Sequence, residues 1–151
     1  MAGHAVSCSC GRGVVIRFAR VVWFVARLAG AASYECWAMN TERELQIAAS
    51  RALCEVLEQQ GDARTQVREI DHWAYFPNAA ARGTFVESCV RAGFFLRGTS
   101  EPTGPWEMFG AQVWHRDVPS DDAMEQVTLF LYDLAFEAGG DYDGWENRVV
   151  A

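Results

Sequence analysis

The chain has 151 residues, half of them hydrophobic and 22% charged, with a formal charge of −7. That length holds one domain with a real core, and the balance excludes a disordered polymer and a membrane protein. The charge is uneven: residues 1–38 carry Arg12, Arg17, Arg20 and Arg27 against Glu35 alone, so residues 39–151 hold 9 arginines against 19 acids, a net of −10. A body this acidic repels phosphate backbones. That disfavours nonspecific nucleic-acid binding, and the charge points to a basic protein partner.

Residues 1–38 share features with several targeting signals and satisfy none. The longest uncharged apolar stretch between the arginines, VVWFVA at 21–26, is far short of the roughly 20 residues that span a bilayer. Arg17, Arg20 and Arg27 also interrupt the apolar run of about 7–15 residues that a secretory signal needs. Wound as a helix, the segment gathers those arginines near one face, with Val14, Phe18, Val21, Val25 and Leu28 largely away from it, a basic amphipathic pattern. The competing reading is a functional start at Met39, since Thr41-Glu42-Arg43-Glu44 follows as a capping box with Thr41 as cap. Residues 1–38 are therefore set apart as an atypical basic segment, untranslated or disordered, from an N-terminal helix at 39–61 and a domain at 62–151. Cys8-Ser9-Cys10 beside His4 lacks a second ligand pair, so no metal is expected there. Cys54 and Cys89 read as small buried residues of a reducing compartment.

From Thr41 to Gln60 a stripe of Leu45, Ala48, Ala49, Ala52, Leu53, Val56 and Leu57 predicts a helix that Gly61 stops. VREIDHWAYFP from Val67 predicts a strand with Ile70, His72, Ala74 and Phe76 on one face and Asp71, Trp73 and Tyr75 on the other. Asn78 caps a helix through Phe85, Val86, Cys89 and Val90 to Gly93. FFLRG at 94–98 is a short strand, Thr99 to Pro105 a loop, and MFGAQVWHR at 108–116 a strand with Met108, Gln112 and Trp114 on one side. Ser120 caps a helix with an apolar stripe of Val127, Leu131, Leu134 and Ala138, and Gly139-Gly140 ends it. Asp141 to Val150 is the last strand, where Gly144 marks a bulge or a close backbone approach beside a large ring such as Trp73. The sum is an α+β fold, a ferredoxin-like βαββαβ sandwich with an antiparallel sheet, two helices on one face and an additional N-terminal helix.

Catalytic apparatus is not visible. The sequence has no GxGxxG, P-loop or G-x-S-x-G pattern, and no cofactor is expected. His72 with Asp143 is the one candidate general base, but Asp71 and His72 point to opposite faces, so a structural histidine is the better reading. Asp141, Asp143 and Glu146 alternate along a strand without calcium-loop length or ligand count. Trp73, Tyr75 and Trp114 share a face, as do the stacking rings of RNA-recognition modules. Those modules add a basic surface that this chain lacks. Either helix 41–60 covers the rings as core, or they form a protein-docking face. A small-ligand or enzymatic domain using the open face around His72 is the alternative, and a deep polar pocket there would favour it.

EIDHWAYFP at 69–77, ARGTFVESCVRAGF, the Gln112-Val113 strand, VTLFLYDLAFEAGG at 127–140 and YDGWE at 142–146 resemble the RraB family, regulators of ribonuclease E activity. The resemblance runs from about Arg64 to Val150, and GGxYDGWE together with DHWxYFP is its specific part. It implies a small acidic cytoplasmic bacterial protein that is not an enzyme. Such a protein binds ribonuclease E through that enzyme's noncatalytic scaffold and restrains RNA cleavage. The resemblance brings no catalytic residues. On physical grounds the partner-contact candidates are the acids Asp141, Asp143 and Glu146 with Trp73, Trp114 and Trp145 as anchors, and the expected partner is ribonuclease E or a related basic RNA-processing protein. Neither direct nucleic-acid binding nor membrane binding by residues 39–151 is expected.

Overall fold

The computed structural model describes residues 13–14, 32–105 and 107–150. Strand β1 (Gly13–Val14) precedes helix α1 (Ala32–Gln59). The rest of the chain runs β2 (Arg68–Phe76), α2 (Ala79–Arg91), β3 (Phe95–Ser100), β4 (Phe109–Asp117), α3 (Asp121–Glu137) and β5 (Asp141–Arg148). The sheet order is β1-β5-β2-β4-β3 with every pairing antiparallel. β2 to β3 and β4 to β5 are thus two interleaved split βαβ units, the ferredoxin-like arrangement with a helix added in front. Val14, read from sequence as the start of a basic amphipathic helix, lies in β1. The rest of that reading, and the Cys8-Ser9-Cys10 cluster, fall outside the described residues.

β2 has the alternation its sequence predicts. Ile70, His72, Ala74 and Phe76 are buried, while Asp71, Trp73 and Tyr75 are half-buried on the other face. One cluster under the buried face joins Ala74 and Phe76 to Phe85 and Cys89 of α2, Leu131 and Ala135 of α3, Val113 of β4 and Tyr142 of β5. A second joins Ile70 and Trp145 to Leu53, Cys54 and Leu57 of α1 and Met124 of α3. All three helices therefore bury their residues against one face of the sheet. α1 does not cover Trp73, Tyr75 and Trp114, which corrects the reading that made those rings its core.

The helices differ from expectation in phase and length. α1 runs through Met39, Asn40 and Thr41 without a break, so Thr41 is an interior residue and no cap. Its buried stripe is Ser50, Leu53, Cys54 and Leu57, whereas Leu45, Ala48 and Ala52 are exposed. The polar Ser50 turns inward because its Oγ accepts from Trp145 Nε1 at 3.0 Å and from Thr128 Oγ1 at 3.4 Å. In α3 the buried set is Met124, Thr128, Leu131, Tyr132 and Ala135, rotated from the predicted stripe by the same contact. The caps are as predicted: Asn78 accepts from the Ala81 N–H and Ser120 from the Ala123 N–H. β3 continues through Thr99 and Ser100, which the prolines and glycine nearby had suggested as loop.

Two glycines are required. Gly144 has φ of 125° at the point where the β2–β5 register shifts between Trp73 and Ala74. The predicted bulge is there, with Gly144 directly opposite Trp73. It lets both Tyr142 and Trp145 face the core although they are three residues apart. At Gly140 a Cβ would meet the Phe76 ring at 2.2 Å and the Tyr75 carbonyl at 2.7 Å, so only glycine admits the turn into β5.

Candidate functional site

His72 is 1% exposed, on the helix-covered face of β2. Its Nδ1 lies 2.8 Å from the Tyr142 hydroxyl and its Nε2 lies 3.1 Å from His115 Nδ1. Phe94 meets its ring edge-on, with centroids 6.1 Å apart. Burial first, and His115 second, hold His72 well below the ordinary histidine range, and burial also lowers His115. Asp71 is on the opposite face, paired with Arg97. The reading of an enzymatic or ligand site on the open face around His72 is therefore corrected: the ring is walled in on the other side of the sheet. Cys54 and Cys89 are buried, with thiols pushed up to about 11 and about 12 chiefly by burial, so they remain protonated and unreactive.

These histidines have a measurable consequence. The unfolded chain protonates His72 near 6.5, while the folded chain holds it neutral to a lower pH. Stability from this group is complete above about pH 6.5 and falls below it by up to about 1.4 kcal/mol per pH unit. Urea midpoints should drop between pH 7.5 and 5.5, and His72→Gln should flatten the drop. A wild-type midpoint that is level across that window contradicts the buried neutral ring.

The other sheet face is acidic and aromatic. Pairing sets Glu69 of β2 opposite Arg116 of β4, Asp71 opposite Trp114 and Trp73 opposite Gln112, and on the other side Asp71 opposite Glu146 and Trp73 opposite Gly144. Tyr75 lies opposite Asp141. Trp73, Trp114, Asp141 and Glu146 are all half-buried and lie on this face within three adjacent strands, so four of the six predicted contact residues share it; Asp143, the extra residue of the bulge, instead borders a cavity beneath the first helix. Trp145 does not share it either. It is 4% exposed and faces the helices, because the bulge at Gly144 shifts the alternation; it is core, not an anchor.

Sequence reasoning missed what β3 contributes. Phe95 is 56% exposed and stacks on Trp114 with centroids 4.6 Å apart and 24° between planes. Arg97, at the shift in β3–β4 register, carries its guanidinium 5.0 Å from the Trp114 centroid. It pairs with Asp71 and, at 2.8 Å, with Glu69. The antiparallel pairing of β3 with β4, implicit in the fold, was the signal that places Phe95 against Trp114. Between α1 and β5 lies a small cavity lined by Gln46, Ser50, Thr128, Asp143 and Trp145 among others, with about 20 Å³ of room, on the scale of one water.

Fold and face together define a small α+β module of the split βαβ type that carries acids and aromatic rings on the sheet face opposite its helices. The sequence profile of the RraB family, described as regulator of ribonuclease activity B, matches residues 47–147, from the middle of α1 to the end of β5. The chain belongs to the RraB family, whose members are regulators of ribonuclease activity. Comparison with curated proteins gives no match. Among the described residues no helix is long and apolar enough to cross a membrane.

Proposed function

We propose that the protein is a non-catalytic cytoplasmic regulator that docks on ribonuclease E, or on a related basic RNA-processing protein, and restrains RNA cleavage. The observation that carries this reading is the convergence of Asp141 and Glu146 with Trp73 and Trp114 on one face of the sheet of a chain in a ribonuclease-regulator family. A body of net charge −10 is drawn to the arginine- and lysine-rich segments with which RNA-processing proteins hold RNA. Docking there displaces or repositions the RNA, and complementary charge speeds the encounter. The rings supply the apolar contact that ion pairs at an exposed surface do not.

The test is a binding titration against the purified ribonuclease with Asp141→Arg and Glu146→Arg combined. Both positions are half-buried on β5, and the double variant is expected to keep its fold while binding about tenfold more weakly or worse. Unchanged affinity in a folded double variant removes β5 from the interface.

A further inference from the structure

The open face already holds one guanidinium, and the way it does so identifies the ligand chemistry the face selects. Three strands supply the parts. β2 gives the Glu69 and Asp71 carboxylates, β4 the Trp114 ring, and β3 both the Phe95 ring stacked on Trp114 and Arg97 itself. A ring and two carboxylates around a planar cation suit a guanidinium and serve a compact ammonium poorly. The resident is weakly held: the Arg97 side chain is 37% exposed and projects from an edge strand, where ion pairs are screened by water and salt. If it swings aside, the carboxylates and the stacked ring pair stay in place, because they belong to paired strands.

We propose that this face is an arginine-recognition surface, in which Arg97 occupies in the free protein the place that an arginine of a basic partner segment takes in the complex. The occupant is an extended, arginine-bearing protein segment, and charge complementarity is the ground for it. From Trp114 the acids continue across the sheet through Asp71 to Glu146, and Trp73 is flanked by β5. With strands about 4.8 Å apart and about 3.4 Å per extended residue, a segment crossing the strands reaches from Trp114 to the β5 acids within about three residues. A partner arginine exchanges one guanidinium for another on the same groups. Arg97 is thus a competitor built into the chain, which sets the threshold a partner must exceed. The inference rests on the docking reading above and specifies its chemistry.

Hexa-arginine and hexa-lysine, equal in charge, are the probes, titrated at fixed salt into the full chain. The wild type is expected to prefer hexa-arginine. Arg97→Ala should raise hexa-arginine affinity about fivefold with a clearly smaller gain for hexa-lysine. Adding Trp114→Leu to Arg97→Ala should bring the two peptides level. Equal gains for both peptides overturn the proposal, since deleting one positive charge would produce that alone, and so does no gain for either. Asp71→Asn, which keeps the side-chain shape, gives an independent arm. Lower hexa-arginine affinity supports the surface, and unaltered affinity overturns it. Titrating Arg97→Ala against ribonuclease E separates the two readings. An arginine preference without ribonuclease binding keeps the surface and refutes the docking reading, whereas ribonuclease binding with no arginine preference does the reverse.

Discussion

Trp145→Ala is expected to lower the unfolding free energy by about 3 to 5 kcal/mol. The ring fills the space between α1, α3 and the sheet, clustered with Leu53, Cys54, Leu57, Ile70 and Met124, and α1 has no larger partner in that cluster. Truncation leaves a cavity and also removes the Nε1 donor that fixes Ser50 at 3.0 Å, so Ser50 and Thr128 are left with each other at 3.4 Å. Trp145→Phe keeps most of the volume and loses the hydrogen bond, for which about 1 to 2 kcal/mol is expected. Urea denaturation of both variants measures the difference. A cost below about 1 kcal/mol for alanine would mean that α1 does not rest on this ring. The result also explains why loss of partner binding in Trp145→Ala would say nothing about the interface.

Asp62→Ala should be comparably damaging, at about 3 to 5 kcal/mol. Asp62 is buried in the loop between α1 and β2 and binds three parts of the chain at once. Oδ1 accepts from the Arg64 N–H at 2.8 Å and from Arg68 Nη1 at 3.1 Å. Oδ2 accepts from the Val150 N–H at 2.9 Å and lies 2.8 Å from the Arg68 guanidinium. The same loop holds Arg64 at φ 52°, its Nη1 donating to the Pro119 carbonyl at 3.0 Å. Removing the carboxylate leaves the Arg68 cation buried without its counter-ion and unties the end of β5. Burial alone would raise the Asp62 pKa, but the Val150 N–H, Arg68 and the Arg64 N–H outweigh it and hold the group below the ordinary carboxylate range. Its contribution is therefore complete above about pH 4 and lost as pH falls through the lowered folded value. Acid unfolding should be less steep in Asp62→Ala than in the wild type, starting from a lower plateau. Equal stability of the two at pH 7 contradicts the clamp.

What the sequence made legible was local. Alternation in REIDHWAYF assigned the seven β2 residues from Ile70 to Phe76 to their correct faces because a central strand is sampled by the same period on both sides. Asn78, Ser120 and Gly144 were legible because a cap or a bulge imposes a requirement on one residue. What depends on remote neighbours was not. T-x-x-E at Thr41 has the form of a capping box, yet it lies inside α1, where nothing local distinguishes an interior threonine from a cap. Ser50 and Thr128, being polar, fall outside the predicted apolar stripes, although each is buried by a hydrogen bond to the other 78 residues away. At the candidate site, composition located the acids of β5 and the rings of β2 and β4, while the bulge at Gly144 removed Trp145 from the set. Phe95 and Arg97 lay in a short strand with no pattern of its own, and only the pairing with β4 brings them onto Trp114.

The most direct measurement is the cleavage rate of a labelled RNA by ribonuclease E of the same organism, with increasing amounts of this protein. Cleavage is expected to slow and to saturate with added protein, with the Asp141→Arg, Glu146→Arg double variant needing more protein for the same effect. An unchanged rate with verified folded protein contradicts the docking mechanism and returns the search to an unbiased identification of the partner.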